Sequence, residues 1–477
     1  MRNSAASLGV IFALVGSFTI HAEENRLTFH AEPKSLPPHA HTEDWPRFLG
    51  PRDDATSAET GILDSWPDNG PAKVWEVTKG EGYAGPSIAG DRLVMFHREG
   101  GEEVVECREP ETGKLLWAHC YGADYDDSYG FSNGPRANPV IDDEFVFTAG
   151  VTGVVKAFEI ADGKERWSLN LRERYRLPQN FFGYGASPLV WEDLVLLNTG
   201  GEGDDEGSPG VCVAAFNRET GEEVWTATDK WGASYASPII MTIHGREILF
   251  VFAGGQSRPP HGGLLALDPK TGEVLSRFPW RADKYESVNA STPLDVGNNR
   301  LFISECYEKG GVLLEFDENI QPSVVWEERW FGMHWTSPIL NDGVLYGFAG
   351  RNEPDVQFKA ADAITGEILW EDEMRWTEKS GDRDLVRGLF RAWLLKVGDR
   401  HLAWGEHGAL ALLELSREGP RITQRHQLFL ADHSWTPLTL SRGLLYVTQN
   451  NRDRASGADP RIICYDLRAT SDDEAAK

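Results

Sequence analysis

A short segment of the form Thr-Gly-x-x-x-Trp recurs along this chain and constrains its fold more than any other feature. Full or degraded copies of the segment end at Trp117, Trp167, Trp225, Ser276, Trp326 and Trp370. Successive copies lie about 40–60 residues apart, a period that is typical of proteins built from one repeated structural module. Because the units of such an array are equivalent, the place where they meet is the natural location for a shared site.

A second recurring feature is a small residue followed by Pro and a short apolar stretch. These steps begin at Gly85, Asn138, Ser187, Ser237, Thr292, Ser337 and Thr436. An eighth unit, around Arg391, lacks the Pro. Pro is tolerated at the first residue of a strand because its missing N–H falls outside the hydrogen-bonded ladder. Each unit contains short apolar stretches separated by turns, so we predict an all-β fold, an eight-bladed β-propeller of four-stranded antiparallel blades.

The two ends of the repeat array are incomplete in a complementary way. The last unit, which runs through residues 462–467, lacks a fourth strand, whereas residues 72–78 resemble a fourth strand without its partners. We therefore predict that this N-terminal strand closes the ring, which would remove sheet edges that could pair with other chains. Residues 45–51, Trp-Pro-Arg-Phe-Leu-Gly-Pro, are expected to form an extended clamp on the edge of the propeller.

We expect four segments along the chain. Residues 1–22 combine a positive Arg2, an apolar run and a small-residue end, which is the pattern of a cleaved secretory signal peptide. Residues 23–44 are expected to be a flexible lead-in, residues 45–468 a single propeller domain and residues 469–477 a disordered tail. The protein is therefore predicted to be periplasmic or secreted, without a membrane span in the mature chain. An uncleaved N-terminal anchor is the alternative.

Charge and metal-ligand spacing argue against two classes of function. The chain has 47 Lys and Arg against 74 Asp and Glu, a net charge of −27, whereas nucleic-acid binding requires a basic surface. The 13 His show no zinc-binding spacing, and the acidic stretch at 124–130 lacks the Glu that completes a calcium loop, so no metal site is predicted. The five Cys do not reveal a disulfide pattern; we expect mostly buried thiols, and a monomeric protein.

The repeated Asp-x-x-Thr-Gly-x-x-x-Trp unit resembles the PQQ-like β-propeller repeat, and the resemblance covers residues 45–467. It implies that each repeat Trp packs on the Gly turn of a neighbouring blade. The residues that fit this role are Trp117, Trp167, Trp225, Trp326 and Trp370 with Gly113, Gly163, Gly221 and Gly366. The family includes quinoprotein dehydrogenases, which hold pyrroloquinoline quinone (PQQ) and calcium in the channel, and non-catalytic BamB-type scaffolds.

The details of the resemblance favour the non-catalytic branch. This chain has no Cys-Cys pair, and it has no clear counterpart of the calcium-binding residues and catalytic Asp of quinoprotein alcohol dehydrogenases. It is more similar to shorter exported PQQ-like proteins, which share the opening at 45–51 and the Gly-Pro-Arg step at 134–136. The resemblance therefore implies a binding or scaffold module that works through the channel mouth. The alternative is an alcohol or sugar dehydrogenase with a diverged active site, for which PQQ with calcium would be the cofactor.

The residues just before each innermost strand should ring one mouth of the channel. The candidate ligand-binding residues are Tyr83, Arg136, Tyr184, Tyr235, Asn289, His334, Trp335, Arg391 and Trp435, accompanied by Tyr129, Phe182 and His433. Aromatic faces and Arg side chains suit a flat, anionic or hydroxylated small ligand such as a quinone, a sugar or a peptide end. If the protein were an enzyme, the candidates for its active site would be Arg136, Arg391, Asn289 and His334. The sequence does not assign a catalytic role to any of them.

Other interpretations of this pattern stay open. The aromatic side chains could simply fill the channel, and the partner could be an envelope protein that binds the mouth, the long loops at 200–209 and 371–388, or the outer blade edges. One experiment separates ligand binding from channel filling. If the residues bind a ligand, Arg136→Ala should abolish binding while barely changing the melting temperature.

Overall fold

The computed structural model describes residues 26–470 except 202, 204–207, 256–260, 285–286, 354 and 381. The predicted signal peptide and part of the 200–209 loop therefore lie outside the described residues. The described chain forms eight four-stranded antiparallel blades, in which strands that follow each other in sequence are also neighbours in the sheet. This arrangement confirms the predicted all-β, eight-bladed propeller.

Strands are numbered in chain order, beginning with β1 (Leu27–Phe29), β2 (Thr56–Ser57) and β3 (Ala72–Thr78). Blade 1 consists of β4 (Ser87–Ala89), β5 (Arg92–Glu99), β6 (Glu102–Arg108) and β7 (Leu115–Gly122). Blade 2 consists of β8 (Val140–Ile141), β9 (Phe145–Ala149), β10 (Val154–Glu159) and β11 (Glu165–Asn170), and a short helix α1 (Leu171–Tyr175) follows it. Blade 3 consists of β12 (Leu189–Trp191), β13 (Leu194–Asn198), β14 (Gly210–Asn217) and β15 (Glu223–Asp229). Blade 4 consists of β16 (Ile239–Ile243), β17 (Arg246–Ala253), β18 (Gly263–Leu267) and β19 (Val274–Pro279).

The second half of the ring repeats the same order. Blade 5 consists of β20 (Leu294–Gly297), β21 (Arg300–Glu305), β22 (Gly310–Phe316) and β23 (Pro322–Glu328). Blade 6 consists of β24 (Ile339–Asn341), β25 (Val344–Ala349), β26 (Gln357–Asp362) and β27 (Ile368–Asp372), followed by a hairpin of β28 (Arg375–Ser380) and β29 (Arg383–Gly388). Blade 7 consists of β30 (Trp393–Val397), β31 (Arg400–Trp404), β32 (Ala409–Leu415) and β33 (Pro420–Gln427). Blade 8 contains β34 (Thr439–Ser441), β35 (Leu444–Gln449) and β36 (Arg461–Asp466).

The core of the propeller lies between the blades. Strands such as β9, β18 and β35 are buried along their whole length, because both faces of a blade pack against neighbouring blades. The sequences of these strands are therefore nearly continuous apolar runs. In the outer strand β33, by contrast, exposed and half-buried residues alternate. This burial pattern explains why the middle strands were readily recognised in the sequence.

The ring closes through N-terminal strands, as predicted. Strand β3 pairs antiparallel with β36 and supplies the fourth strand of blade 8. Within the segment expected to be a flexible lead-in, β1 pairs with β3 as a fifth strand, with Leu27 opposite Val77. At the other end, the amide of Ala469 donates a hydrogen bond to Gly61 O at 2.8 Å. The first and the last described residues are thus held by backbone hydrogen bonds to N-terminal parts of the chain.

Each repeat Trp connects its own blade to the next one. The indole N–H donates to a backbone carbonyl of the following blade, at N···O distances of 2.8–3.2 Å, in the pairs Trp75–Pro110, Trp117–Ile160, Trp167–Arg218, Trp225–Pro269, Trp326–Ala363 and Trp370–Ser416. Gly residues with positive φ lie against the rings: a Cβ added to Gly221 would come within 2.7 Å of Trp167. The predicted packing of Trp on Gly turns is confirmed for Trp117, Trp167 and Trp326, and Gly272 of the degraded repeat contacts Trp225. Trp370 docks through its hydrogen bond to Ser416 O, since a Cβ added to Gly419 of that turn would meet no atom within 4 Å.

The prediction that residues 45–51 form an extended clamp on the edge of the propeller was wrong. Trp45 forms a β-bridge with Ile88 in the innermost strand of blade 1, and β2 pairs in parallel with β30, the innermost strand of blade 7. Phe48 packs edge-on against Trp393 at 5.6 Å between ring centroids. The segment therefore crosses one end of the channel. It lies there because the inner strands offer unpaired backbone groups and because Trp45, at 1% exposure, needs a buried site.

Two further expectations concern loops and thiols. The charged connection at 371–388 contains the β28–β29 hairpin, so its chain is ordered by strand pairing. All five Cys are free; Cys107, Cys212, Cys306 and Cys464 are buried and Cys120 is half-buried, in agreement with the expectation of mostly buried thiols. Burial raises the pKa of the Cys107 thiol to about 12. In the part of the chain that the structure describes, helices long and apolar enough to cross a membrane are absent.

Candidate functional site

The end of the channel opposite the 45–57 segment opens into a cavity of about 380 Å³, here called the funnel. Its walls come from the connections that lead into the innermost strands, and its floor includes Phe48. The lining residues are Phe48, Tyr83, Tyr129, Phe131, Arg136, Phe181, Phe182, Gly185, Tyr235, Val288, Ala290, Tyr307, His334, Trp335, Arg351, Asn352, Arg391, Trp393, Trp435 and Pro437. All eight blades contribute, as expected for a site at the meeting point of the repeats.

The structure brings most of the candidate residues together around this funnel. Those that line it are Tyr83, Arg136, Tyr235, His334, Trp335, Arg391 and Trp435. Tyr184 and Asn289 do not. Tyr184 is 4% exposed and packs in the apolar core between blades 2 and 3. Asn289 is fully buried, and its amide nitrogen donates to the carbonyls of Phe252 and Ala253 at 3.1 and 3.0 Å. Both residues stand before an innermost strand, as predicted, but their side chains do not line the funnel.

Arg391 is held in the funnel wall by a carboxylate that the sequence did not reveal. Its Nε donates to Glu406 Oε2 at 2.9 Å, its Nη2 bonds Glu406 Oε1, and the indole N–H of Trp435 donates to the same Oε1 at 2.8 Å. The guanidinium lies 4.4 Å from the ring centroid of Trp335 and 5.0 Å from that of Trp435. Burial by itself would raise the pKa of Glu406, but the hydrogen bonds and charge of Arg391 hold that pKa below its ordinary value. The pair therefore stays ionised and neutralises itself.

Arg136 is neutralised in the same way. Its Nη2 donates to Asp127 Oδ2 and to Ser132 O, both at 3.0 Å, and its Nη1 donates to Gly134 O at 3.1 Å. Asp127 is 5% exposed, so removing Arg136 would leave a buried carboxylate without its counter-charge. We therefore expect Arg136→Ala to destabilise the protein, which differs from the expectation drawn from sequence of an almost unchanged melting temperature.

Asp127 also shapes the loop that presents two aromatic side chains to the funnel. Its carboxylate accepts hydrogen bonds from the backbone amides of Tyr129, Phe131 and Ser132 at 3.0–3.2 Å. Asp127 belongs to the acidic stretch that resembles the start of a calcium loop, yet its contacts are those of a loop-organising residue. Tyr129 and Phe131 remain 53% and 36% exposed.

The aromatic rings of the funnel form a continuous belt. Trp435 lies 4.8 Å from Trp335, 5.2 Å from Tyr83 and 5.4 Å from Phe131, measured between ring centroids. Phe131 in turn lies 5.9 Å from Phe182. Sequence reasoning missed Phe131, Phe181, Tyr307, Arg351 and Trp393 as lining residues. For Phe131 a signal was present, since it is an apolar residue in a polar loop, three positions before the Gly-Pro-Arg step that begins at Gly134.

His334 contributes an uncharged imidazole to this belt. Its Nε2 lies 3.0 Å from the hydroxyl of Tyr307, and its ring centroid is 4.9 Å from that of Trp335. Burial, together with the positive charges of Arg391 and Arg351, lowers the pKa of His334 to about 3. At neutral pH this side chain can exchange hydrogen bonds with a ligand but does not attract anions by its charge.

His334 is expected to make the folded protein less stable in acid. Its pKa falls from 6.5 to about 3 on folding, so between these values the unfolded chain binds a proton that the folded chain does not. Stability should therefore be lost as the pH drops from about 6.5 towards 3. When the free energy of unfolding, measured with urea, is plotted against pH, it should fall less steeply towards acid for His334→Gln than for the wild type. Equal slopes would mean that His334 is already protonated in the folded protein.

Several solved structures share this architecture. BamB from Moraxella catarrhalis has a TM-score of 0.53 at 16% sequence identity, covering 84% of this chain and 98% of that chain. A europium-containing methanol dehydrogenase has a TM-score of 0.63 at 13% identity, covering 89% and 98%. A quinohemoprotein alcohol dehydrogenase from Comamonas testosteroni has a TM-score of 0.61 at 13% identity, covering 90% and 81%. At such low identities the similarity shows the fold alone.

Family membership follows from sequence. None of the curated proteins compared with this chain matches it. In contrast, the family model for the outer membrane protein assembly factor BamB matches residues 100–372 and 260–416, which together span more than half of the chain. The matched part contains repeats from which the resemblance to PQQ-like propellers was recognised. The chain therefore belongs to the family described as outer membrane protein assembly factor BamB.

Proposed function

We propose that the protein is a non-catalytic binding module whose funnel holds a ring-shaped, hydroxylated or anionic small molecule. The observation that carries this proposal is a concave cavity of about 380 Å³ in which large aromatic rings stay partly exposed, Tyr129 at 53% and Phe131 at 36%. A cavity of this size with a mostly apolar lining and a few polar groups is typical of small-molecule sites. Exposed apolar rings in a concave site gain free energy when a ligand covers them.

The ion pairs of Arg136 and Arg391 favour a hydroxylated ligand over a strongly anionic one. Arg136 and Arg391 each face a buried carboxylate, Asp127 and Glu406, at hydrogen-bond distance. An anion that binds either guanidinium must compete with a carboxylate that is already in place. A ring with hydroxyl groups can instead stack on the aromatic belt and use the remaining hydrogen-bonding groups without disturbing these ion pairs.

Removing the exposed rings should weaken binding without unfolding the protein. The double variant Tyr129→Ala, Phe131→Ala is expected to bind at least about tenfold more weakly, because two stacking faces are lost. Binding can be followed by Trp fluorescence during titration with PQQ, glucose and cellobiose, which represent a flat anionic ring, a single neutral sugar and a neutral disaccharide.

The matched control is Trp330→Ala, since Trp330 is 61% exposed but does not line the funnel. This variant should bind as the wild type does. The proposal fails if no probe gives saturable binding, or if the double variant and the control bind equally well.

The alternative proposal is a PQQ- and calcium-dependent alcohol or sugar dehydrogenase with a diverged site. In the described chain no carboxylate lines the funnel, and Asp127 and Glu406 behind it are engaged by Arg136 and Arg391. Calcium requires several oxygen ligands, usually including carboxylates. The residues present therefore do not fit a quinone with its metal ion, and we assign no oxidation step to them. Dye-linked alcohol oxidation that depends on added PQQ and Ca²⁺ would make the dehydrogenase the leading function.

The location and partners of the protein belong to the same proposal. The pattern of residues 1–22 supports export to the periplasm or beyond the cell, which mass spectrometry of the mature chain would test by finding Glu23 at its N-terminus. An envelope protein that binds at the channel mouth is the second partner class, supported by membership of the BamB family. For that class, the exposed Tyr129 and Phe131 are the contact residues that we propose.

A further inference from the structure

A second cavity of about 360 Å³ lies directly beside the funnel. Tyr83 and Phe131 line both cavities, and the hydroxyl of Tyr83 donates to the carbonyl of Phe131 at 3.1 Å. These two residues therefore form a common wall with one side towards each cavity. The lining of the second cavity comprises Glu81, Gly82, Tyr83, Asp126, Asp127, Gly130, Phe131, Ser132, Asn133, Asn450 and Asn451.

The two cavities differ in chemistry. Apart from the shared wall, the second cavity is lined by carboxylates, amides, a hydroxyl and Gly. The amide nitrogens of Asn450 and Asn451 already donate to the carbonyls of His433 and Asp432, at 3.0 and 3.1 Å. What these side chains offer a ligand is mainly acceptor oxygens, so a matching ligand must supply donors such as hydroxyl groups.

One of the three carboxylates of the second cavity, that of Asp127, is neutralised from within the protein. Asp127 is ion-paired with Arg136 at 3.0 Å. Glu81 accepts a hydrogen bond from the backbone amide of Asn133 at 2.8 Å, and Asp126 is exposed. In the funnel, Arg136 and Arg391 are likewise paired with Asp127 and Glu406, so neither guanidinium is free to hold an anion, whereas the second cavity offers carboxylate oxygens. These acceptor oxygens favour a ligand rich in hydroxyl donors over an anion.

We infer that the ligand is a neutral carbohydrate chain of at least two sugar rings that spans the shared wall. One ring stacks its C–H face on the aromatic belt of the funnel, and the next ring places its hydroxyl groups among the acceptors of the second cavity. A single sugar fills only the funnel, and the second ring adds hydrogen bonds in the second cavity, of which the one to Asp126 provides most of the gain. This inference rests on the proposed binding function of the funnel and specifies its ligand class.

The test compares sugars of increasing length with charged analogues. The mature protein is titrated calorimetrically with glucose, cellobiose and cellotriose, with the corresponding lactose and maltose series, and with glucuronate, glucosamine and a Lys-containing dipeptide. At least one neutral disaccharide should bind about tenfold more tightly than its monosaccharide, because hydrogen bonds to charged acceptors are added. Asp126→Ala should abolish this difference and leave monosaccharide binding unchanged.

The control is Asp143→Ala, an exposed carboxylate in the turn before β9 that lines neither cavity. It should keep the preference for disaccharides. Sugar binding without a gain from the second ring, or a gain that survives Asp126→Ala, would overturn the two-cavity inference while leaving the funnel function intact. Binding confined to glucuronate, glucosamine or the dipeptide would overturn the neutral-sugar assignment. If PQQ binds and none of the sugars does, the neutral-sugar assignment is also overturned. If no probe binds at all, the proposed function of the funnel itself is overturned.

Discussion

Replacing Trp225 by alanine should lower the free energy of unfolding by about 3–5 kcal/mol, the range for removal of a large buried aromatic side chain. Trp225 is 8% exposed, contacts the turn at Gly272 and donates its indole N–H to Pro269 O at 3.0 Å. Its removal would leave a void between blades 3 and 4 and an unpaired carbonyl. Because neighbouring blades stabilise each other, the loss should be seen in the whole urea transition, followed by far-UV circular dichroism.

Trp330→Ala is the matched control for this substitution. Trp330 is 61% exposed, so its removal should change the free energy of unfolding by less than about 0.5 kcal/mol. If the two variants unfold at the same urea concentration, docking of the repeat Trp on the next blade does not hold the ring together. In that case the recurring Trp would need another explanation.

Glu406→Gln is expected to cost about 3–5 kcal/mol of stability, as is typical when one partner of a buried ion pair is removed. The substitution keeps the shape of the side chain but leaves the guanidinium of Arg391, whose side chain is 15% exposed, without its counter-charge. The hydrogen bond from Trp435 to Glu406 would also be weakened, so the aromatic belt of the funnel should loosen. Thermal and urea unfolding of the purified variant would measure the effect.

Glu414→Gln in the same blade provides the control, because Glu414 and its partner Arg421 are 62% and 67% exposed. Exposed pairs contribute at most about 1 kcal/mol. The pH dependence gives a second check. Since the pKa of Glu406 is lowered on folding, its contribution is present above the ordinary carboxyl pKa and is lost as the pH falls through the lowered value. A stability difference between wild type and Glu406→Gln that persists in strong acid would contradict the ion-pair explanation.

Much of the fold could be predicted because a propeller is a local, repeated structure. The Trp that ends each unit, the small residue before Pro and the four apolar stretches are all short-range signals, and their period sets the number of blades. Even the closure by residues 72–78 followed from counting strands at the two ends. The segment at 45–51 was misplaced because its partners, Ile88 and the innermost strand of blade 7, are distant in sequence and belong to contacts that do not recur with the repeat.

The candidate site was predicted less completely than the fold. Position before an innermost strand correctly selected residues such as Trp335 and Trp435, because every unit places that position at the channel mouth. The same rule could not tell which way a side chain turns, and so it included Tyr184 and Asn289. It also missed Asp127 and Glu406, since the pairing of a carboxylate with an Arg depends on how a loop folds back over the channel.

The sequence by itself determined the all-β class, the number of blades, the packing of repeat Trp on Gly turns and the closure of the ring. These properties depend on contacts that recur with the repeat, so one unit predicts the others. Only the tertiary structure decided that one end of the channel is crossed by the 45–57 segment, that Arg136 and Arg391 are neutralised by buried carboxylates, and that a polar cavity adjoins the aromatic one. These properties depend on single, non-repeated contacts between distant residues, for which no periodic signal exists.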